Sequence, residues 1–251
     1  IKIPYDDIEA LENVLKSTPN IAGFLVEPIQ GEAGVYVPAE GYLAKAKVLC
    51  EKYNALFIAD EVQTGIARTG RLLATCGNCS CENGCENKPE VKPDILILGK
   101  AISGGVYPVS AVLANDEIMN VIKPGQHGST FGGNPIAAAV AIAALEVVKE
   151  ENLAANAEKF GVILRNGLNE IASRNSLIKL VRGKGLLNAI VINSDEESDL
   201  AWDICIKFRD YGLLAKPTHG NKIRFAPPLV ITESQIQECL VIIEKALNDF
   251  K

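Results

Sequence analysis

The sequence predicts an α/β fold with a mostly parallel sheet, and two apolar runs that end on opposite charges support this prediction. Residues 55–59 (ALFIA) lead directly into Asp60, and residues 95–99 (ILILG) lead into Lys100. Short, continuous runs rich in branched side chains are typical of strands that are buried on both faces of a parallel sheet. We therefore expect Asp60 and Lys100 at the carboxyl ends of two such strands, where the ligands of open α/β sheets bind.

The segments before these strands complete a βαβ unit. Apolar residues recur at helical spacing between Tyr5 and Leu15, which predicts a first helix. Residues 21–26 form a third apolar run, and residues 43–53 have the pattern of a helix that leads into the strand before Asp60. Strand, helix and strand in this order indicate neighbouring parallel strands.

The middle of the chain changes character twice. Residues 104–135 contain closely spaced Gly and Pro, which indicates either backbone packed around a ligand or a partner, or ordinary surface turns. An Ala-rich helix is predicted from Pro135, and the charged residues at 149–152 mark a domain boundary. We therefore expect one domain over residues 1–150 and a second over residues 151–251.

The second predicted domain has an α+β pattern of a size typical of small domains. Its last helix begins at Thr232, where Gln235 three residues later completes a capping box. The other predicted elements are two helices, 153–172 and 200–209, and two strands, 186–192 and 223–225.

Composition excludes several classes of protein. Of the 251 residues, 48% are hydrophobic and 22% are charged, as in ordinary globular proteins. The net charge of -6 argues against a nucleic-acid-binding surface. The longest apolar stretch, residues 136–148, is too short to span a bilayer. Neither nucleic acid nor a membrane is therefore an expected partner.

Asp60 and Lys100 together suit one cofactor, pyridoxal phosphate (PLP). PLP needs an amine that binds it covalently and an acid that keeps its ring nitrogen protonated. An amine that attacks an aldehyde must be neutral, and the end of a buried strand can desolvate Lys100 and lower its pKa. Taken singly, Lys100 can also be a surface lysine, and Asp60 can simply start a turn.

Four motifs in a fixed order make the resemblance specific: residues 27–34 (EPIQGEAG), 60–65 (DEVQTG), 99–105 (GKAISGG) and 128–135 (GSTFGGNP). With them, the chain resembles the class-III, fold-type-I PLP-dependent aminotransferases from about Tyr5 to its end, and it is most similar to the ornithine δ-aminotransferase group. The resemblance implies part of a PLP-binding large domain followed by a small C-terminal domain.

The resemblance also implies roles for single residues. Lys100 matches the lysine that binds PLP covalently and moves a proton at the substrate carbon. Asp60 matches the partner of the ring nitrogen, Val62 packs on one face of the ring, and Gln63 lies near its phenolic oxygen. Two more residues, Ser129 and Thr130, match the residues that reach the cofactor phosphate. This phosphate is held mainly by the other subunit of a homodimer.

Glu32 and Arg224 match the substrate-binding residues of the ornithine δ-aminotransferase group. An arginine binds a carboxylate through two parallel hydrogen bonds. Arg224 is therefore expected to bind 2-oxoglutarate, and Glu32 to mask Arg224 when ornithine is bound. The alternative interpretation is an ordinary ion pair that links two parts of the fold.

The resemblance predicts an ornithine–oxo-acid aminotransferase. Such an enzyme transfers the δ-amino group of L-ornithine to 2-oxoglutarate in a ping-pong cycle and works in the cytoplasm or the mitochondrial matrix. It also implies that the chain begins within the large domain, since a glycine-rich phosphate loop, a ring-stacking aromatic and an ornithine-binding arginine have no counterpart in it. Two alternatives remain open: another class-III enzyme, acting on acetylornithine or 4-aminobutyrate, and a catalytically silent chain.

Between the two key strands, where relatives have a shorter link, residues from about 74 to 90 resemble an insertion that contains four cysteines. Their positions are Cys76, Cys79, Cys81 and Cys85, in a segment rich in Gly and Asn. Four thiolates so close together can bind zinc, although the spacing is tighter than the usual pair of CxxC motifs. Redox or disulfide chemistry and a solvated loop with incidental cysteines are the other interpretations. The single cysteines, Cys50, Cys205 and Cys239, are expected to be small buried hydrophobic residues in a reducing compartment.

Overall fold

The structure, a computed structural model of the chain, describes residues 1–77 and 91–250, and its backbone divides into two units. The first unit comprises residues 1–28, 38–66 and 72–151. The second comprises residues 29–37, 67–71 and 152–251. The functional assignment of residues 1–150 and 151–251 to two domains stays a prediction.

The first unit contains a four-stranded sheet in the order β1-β2-β3-β4. The strands are β1 (Gly23–Val26), β2 (Leu56–Asp60), β3 (Ile95–Leu98) and β4 (Ala111–Ala114). Strands β1, β2 and β3 are parallel, and β4 is antiparallel to β3. The predicted α/β fold with a mostly parallel sheet is confirmed.

Two of the four described helices of this unit begin at a residue whose side chain caps them. They are α1 (Ile8–Ser17), α2 (Tyr42–Lys52), the single-turn α3 (Asp116–Met119) and α4 (Pro135–Glu150). The side chain of Asp7 accepts a hydrogen bond from the backbone N–H of Ala10 at 2.8 Å, which caps α1. Asn134 caps α4 in the same way, with Pro135 at the first helical position.

The core of the first unit lies between its first two helices and the first two strands. Phe57 and Ala59 of β2 are fully buried, and Leu43 and Ala46 of α2 pack in the same cluster. Strand β4 was not predicted. It has only four residues, lies within the segment rich in Gly and Pro, and lacks the polar and apolar alternation that marks a half-buried strand.

The second unit contains an antiparallel sheet in the order β5-β6-β8-β7. The strands are β5 (Ile178–Lys184), β6 (Leu187–Ile192), β7 (Lys216–Pro217) and β8 (Lys222–Phe225). All six residues of β6 are buried, which explains why the sequence predicted this strand. Strand β5 was missed because its basic side chains interrupt the apolar pattern.

Three helices cover this sheet: α5 (Leu153–Arg174), α6 (Leu200–Asp210) and α7 (Glu233–Asn248). The predicted capping box of α7 is confirmed, since Thr232 and Gln235 hydrogen-bond each other's backbone N–H. Helix α5 approaches the β5–β6 turn so closely that a Cβ at Gly161 would lie 1.9 Å from the carbonyl oxygen of Gly185. Only glycine permits this contact.

Among the described residues, none of the helices combines the length and the apolar character that a crossing of a lipid bilayer requires.

Candidate functional site

Asp60 and Lys100 lie at the same edge of the first unit's sheet. Asp60 is the last residue of β2 and is in register with Ile97 of β3. The parallel ladder continues one residue further, because the N–H of Glu61 donates to the carbonyl of Ile97 at 2.9 Å. Lys100 follows three residues after Ile97, so both side chains start from the carboxyl ends of adjacent parallel strands, where ligands of such sheets bind.

The backbone at Lys100 is strained. Its φ is +44°, in the left-handed region that residues with a Cβ rarely adopt. Such residues cluster at functional sites, because the surrounding fold must hold them in place. Gly99 before it is extended, and a Cβ there would lie 3.3 Å from a methyl group of Val62. Val62 therefore packs directly beside the backbone that carries Lys100.

An open cavity of about 720 Å³ lies next to Lys100. Its volume falls in the range of small-molecule sites, roughly 300–1,000 Å³. Polar side chains on its wall include Lys100, Ser103, Tyr107, Ser110, Ser129 and Asn134. Lys100 is exposed on this wall. The sequence predicted a desolvated lysine, and the structure differs because the cavity is open beside it.

The other predicted cofactor residues are placed as follows. Asp60 is half-buried, and its carboxylate accepts a hydrogen bond from the N–H of Val62 at 3.1 Å. Gln63 is also half-buried in the turn after β2. Ser129 lines the cavity and accepts a hydrogen bond from the N–H of Gly132 at 2.8 Å. Thr130 is exposed, and it lies outside the residues that line the cavity, as do Asp60, Val62 and Gln63.

Glu61, to which the sequence assigned no role, organises the turn that carries Val62 and Gln63. Its side chain is 1% exposed and accepts three hydrogen bonds. The donors are the hydroxyl of Thr64 at 2.6 Å, the N–H of Ala74 at 2.9 Å and the N–H of Thr75 at 2.8 Å. One carboxylate therefore ties the end of β2 to a short 3₁₀-helix (Ala74–Gly77).

Replacing Glu61 by alanine will lower the free energy of unfolding by about 3 kcal/mol, because three buried donors lose their acceptor. Urea unfolding followed by circular dichroism measures this effect. Glu117→Ala, an exposed glutamate in α3, is the matched control and should change stability by less than about 0.5 kcal/mol. Equal stability of the two variants would contradict the role given to Glu61.

In the second unit, Glu32 lies between two cations. Its Oε2 accepts a hydrogen bond from Nη1 of Arg224 at 2.8 Å, so the two residues that the resemblance paired are in contact, and the masking role stays a prediction. Its Oε1 accepts one from Nζ of Lys216 at 2.7 Å, which the sequence did not predict. The Lys216 ammonium, and after it the Arg224 guanidinium, holds the pKa of Glu32 below its ordinary value. The carboxylate is therefore ionised over the neutral pH range.

The loop that carries Glu32, residues 29–37, is anchored through its backbone. Gln30 and Tyr36 exchange two backbone hydrogen bonds of 3.0 Å. Nε of Arg182 on β5 donates to the carbonyl of Gly34 at 2.8 Å, and the guanidinium lies 3.7 Å from the centroid of the Tyr36 ring. Gly34 has φ +121°, and a Cβ there would lie 2.4 Å from Cδ of Lys222, so glycine is required at this position.

A second arginine lies behind Arg224. The guanidinium of Arg68 donates to the carbonyls of Leu186 at 3.1 Å and Pro227 at 2.6 Å. Burial, together with the nearby charge of Arg224, lowers the pKa of Arg68 to about 10. Arg68 links the carbonyl just before β6 to a carbonyl that follows β8, and it adds positive potential near Arg224.

The sequence model of the class-III aminotransferases matches residues 3–247. The chain belongs to this family. The chain is 58% identical over 245 residues to the mitochondrial ornithine aminotransferase of Drosophila melanogaster. This alignment covers 98% of the chain and 53% of the Drosophila protein. The mitochondrial ornithine aminotransferase of Rattus norvegicus is 56% identical, and the alignment covers 99% of this chain and 53% of the rat protein. The class-III chain thus spans about half the length of these curated relatives.

Solved structures of aminotransferases have the same fold. An acetylornithine aminotransferase from Elizabethkingia anophelis superposes with a TM-score of 0.92 at 61% identity, covering 100% of this chain and 63% of that one. An ornithine aminotransferase from Toxoplasma gondii, in which PLP partially occupies the active site, superposes with a TM-score of 0.90 at 48% identity, covering 98% and 55%. The fold class predicted from the sequence is confirmed for this class-III chain.

Sequence reasoning missed Lys216 because it did not predict strand β7. Lys216 and Arg224 are register partners across β7 and β8, so their side chains start on the same face of the hairpin. A predicted hairpin over residues 216–225 would have placed these two cations together. Glu61 and Arg182 gave no such signal, because their roles depend on backbone groups that are distant in sequence.

The cysteine cluster lies largely outside the described residues. Cys76 is half-buried in the 3₁₀-helix after residue 73, whereas Cys79, Cys81 and Cys85 are not described. Within residues 1–77 and 91–250, no three His, Cys, Asp or Glu side chains are arranged to hold a metal ion. Zinc, redox chemistry and a solvated loop remain three interpretations of this segment.

Proposed function

We propose that the protein to which this chain belongs is a PLP-dependent ornithine aminotransferase. It transfers the δ-amino group of L-ornithine to 2-oxoglutarate, giving glutamate-5-semialdehyde and glutamate. The observation that carries the proposal is the Glu32 carboxylate on Arg224, because it combines a carboxylate-binding cation with a group that can neutralise it. The names of the curated relatives support the same assignment.

The residues of the first unit fit PLP. An amine stands on the wall of a cavity of suitable volume, and a carboxylate ends the adjacent strand. When bound, PLP supplies an electron sink that stabilises negative charge at the reacting substrate carbon.

This proposal assigns the following tasks to the predicted site residues. Lys100 holds the cofactor covalently and then moves a proton at the substrate carbon as a general acid and base. Asp60 keeps the ring nitrogen protonated by ionic hydrogen bonding. Val62 would support one face of the ring, and Gln63 would lie near its phenolic oxygen. Ser129 and Thr130 bind the phosphate of the partner subunit's cofactor in a homodimer.

Arg224 and Glu32 allow one enzyme to use two unlike substrates. With Glu32 on Arg224, the guanidinium is paired with a carboxylate of the chain and is not offered to the substrate while ornithine is bound. When 2-oxoglutarate binds, Arg224 takes its distal carboxylate in two parallel hydrogen bonds. The compartment, cytoplasm or mitochondrial matrix, stays a prediction.

The competing assignment is acetylornithine aminotransferase, which the 61% identity to the Elizabethkingia anophelis enzyme favours. Both substrates give up a terminal amine, and they differ in whether the α-amine is charged or acetylated. The test measures kcat/KM of the intact, PLP-loaded protein with ornithine, acetylornithine and 4-aminobutyrate, each with 2-oxoglutarate. We expect a preference for ornithine. A clear preference for acetylornithine or 4-aminobutyrate would overturn the assignment.

Glu32→Gln will reduce the discrimination between ornithine and glutamate as amino donors by about 10- to 100-fold. The magnitude follows from the loss of a charged hydrogen bond worth about 1.5–3 kcal/mol, which leaves Arg224 exposed to substrate carboxylates. Single-turnover rates with each donor measure the ratio. Glu196→Gln removes an exposed partner of Lys222 in the same unit and serves as control. An unchanged ratio in Glu32→Gln would argue against masking.

A further inference from the structure

We propose that Lys216 is a positioning residue that holds the Glu32 carboxylate whenever Arg224 binds the carboxylate of the oxo-acid substrate. This inference rests on the proposed function and adds to it the group that receives Glu32 when it leaves Arg224. Lys216 touches neither the cofactor nor the reacting atoms in this scheme. It acts through Glu32 alone.

The first argument is that the two carboxylate oxygens of Glu32 bind different cations. Oε1 accepts from Lys216 at 2.7 Å, and Oε2 accepts from Arg224 at 2.8 Å. Neither cation holds the carboxylate through both oxygens. The contact with Arg224 can therefore break while the contact with Lys216 remains.

The second argument is the position of the two cations on the hairpin. Lys216 of β7 is directly opposite Arg224 of β8. Like charges in this arrangement destabilise a pair of strands unless an anion lies between them. Glu32 is that anion in the structure. A substrate carboxylate that enters at Arg224 adds a second anion, so that each cation then has one.

The third argument is the difference in exposure between the three side chains. Arg224 is 16% exposed, whereas Lys216 is 58% and Glu32 is 48% exposed. Arg224 is held by its surroundings, and Lys216 and Glu32 have room to change rotamer together. The loop backbone need not move, because the Arg182 contacts hold it independently of Glu32.

The consequence concerns the oxo acid and not ornithine. Without Lys216, a Glu32 carboxylate that leaves Arg224 has lost both of its cationic partners, so displacing it costs more free energy. Binding of 2-oxoglutarate at Arg224 weakens, whereas ornithine binds with Glu32 still in place on Arg224. Lys216→Met should therefore raise the KM for 2-oxoglutarate by about 3- to 10-fold, which corresponds to roughly 0.6–1.4 kcal/mol. The single-turnover rate with ornithine should change by less than about twofold.

The experiment uses the intact, PLP-loaded protein. Lys216→Arg retains a cation and should restore the parent KM for 2-oxoglutarate. Lys179→Met, an exposed lysine on β5 of the same sheet, is the matched control and should behave as the parent does. In a Glu32→Gln background, Lys216→Met should have no further effect, because Lys216 acts only through the Glu32 carboxylate.

A second measurement does not depend on turnover. The pKa of Glu32, followed by carboxyl ¹³C chemical shifts and assigned with Glu32→Gln, should rise towards its ordinary value in Lys216→Met. An unchanged KM for 2-oxoglutarate in Lys216→Met overturns the inference. The inference is also overturned if Lys216→Met lowers the single-turnover rate with ornithine as much as it raises the KM for 2-oxoglutarate. It is overturned as well if Lys216→Met still raises this KM in the Glu32→Gln background.

Failure of the proposed function has a different signature. If the parent protein does not turn over ornithine, that function is wrong, and the KM for 2-oxoglutarate is then measured with acetylornithine or 4-aminobutyrate as donor. The inference is upheld or overturned by the same shift in KM in that assay.

Discussion

Replacing Lys100 by alanine in the intact, PLP-loaded protein will lower kcat with ornithine and 2-oxoglutarate by about a thousandfold or more. Two contributions are lost together. The cofactor loses its covalent amine, and the substrate carbon loses the general acid and base, which alone contributes about 10²- to 10⁴-fold. No other lysine lines the described part of the cavity, so we expect none to take over.

Lys100→Arg is the matched variant, since it keeps the positive charge and a long side chain but has no amine that can become neutral. It should be as inactive as Lys100→Ala. Borohydride reduction of the parent, followed by peptide mass analysis, should place the cofactor on Lys100. Neither variant should lose stability, because Lys100 is exposed and alanine meets the same left-handed backbone. Covalent cofactor on another lysine would contradict the assignment.

Asp60→Asn will lower kcat by about 10²- to 10³-fold, the usual effect of removing one preorganised electrostatic partner from a transition state. Asparagine keeps the shape of the side chain and an oxygen that can accept from the Val62 N–H, so the turn after β2 should remain in place. The negative charge that keeps the ring nitrogen protonated is lost. Steady-state kinetics and the absorbance spectrum of the bound cofactor measure both consequences.

Asp94→Asn provides the control for this prediction. Asp94 precedes β3 at the opposite edge of the sheet, where it accepts from the N–H of Phe57 at 2.7 Å and from Nζ of Lys47 at 2.8 Å. The same substitution there should lower stability and leave kcat of the folded protein unchanged. A similar loss of kcat in both variants would show that Asp60 acts through folding and not through the cofactor.

Most of the first unit could be predicted from the sequence because its signals are local. The apolar runs before Asp60 and Lys100 are continuous, and they predicted both strands. The expected burial on both faces is wrong for this chain, since β2 alternates half-buried and buried residues and Leu98 alone is buried in β3. The caps of α1 and α4 were equally local, since Asp7 and Asn134 each bind a backbone N–H three residues away. Strands β4 and β5 carried no clear pattern, because one is very short and the other is interrupted by basic residues.

The candidate site divides in the same way. The sequence by itself determined the family, the α/β fold and the two charged residues, Asp60 and Lys100, at the ends of adjacent parallel strands. Apolar runs and the order of motifs carry this information, and both are properties of the sequence alone. Only the tertiary structure decided that Glu32 has two cationic partners and that Glu61 ties two turns together. Lys216 is 184 positions from Glu32, and Ala74 and Thr75 are 13 and 14 positions from Glu61. Contacts between residues so far apart in sequence are set by packing and strand register. The tertiary structure also decided that Lys100 is exposed beside an open cavity, a property of the surrounding surface that the strand before it cannot specify.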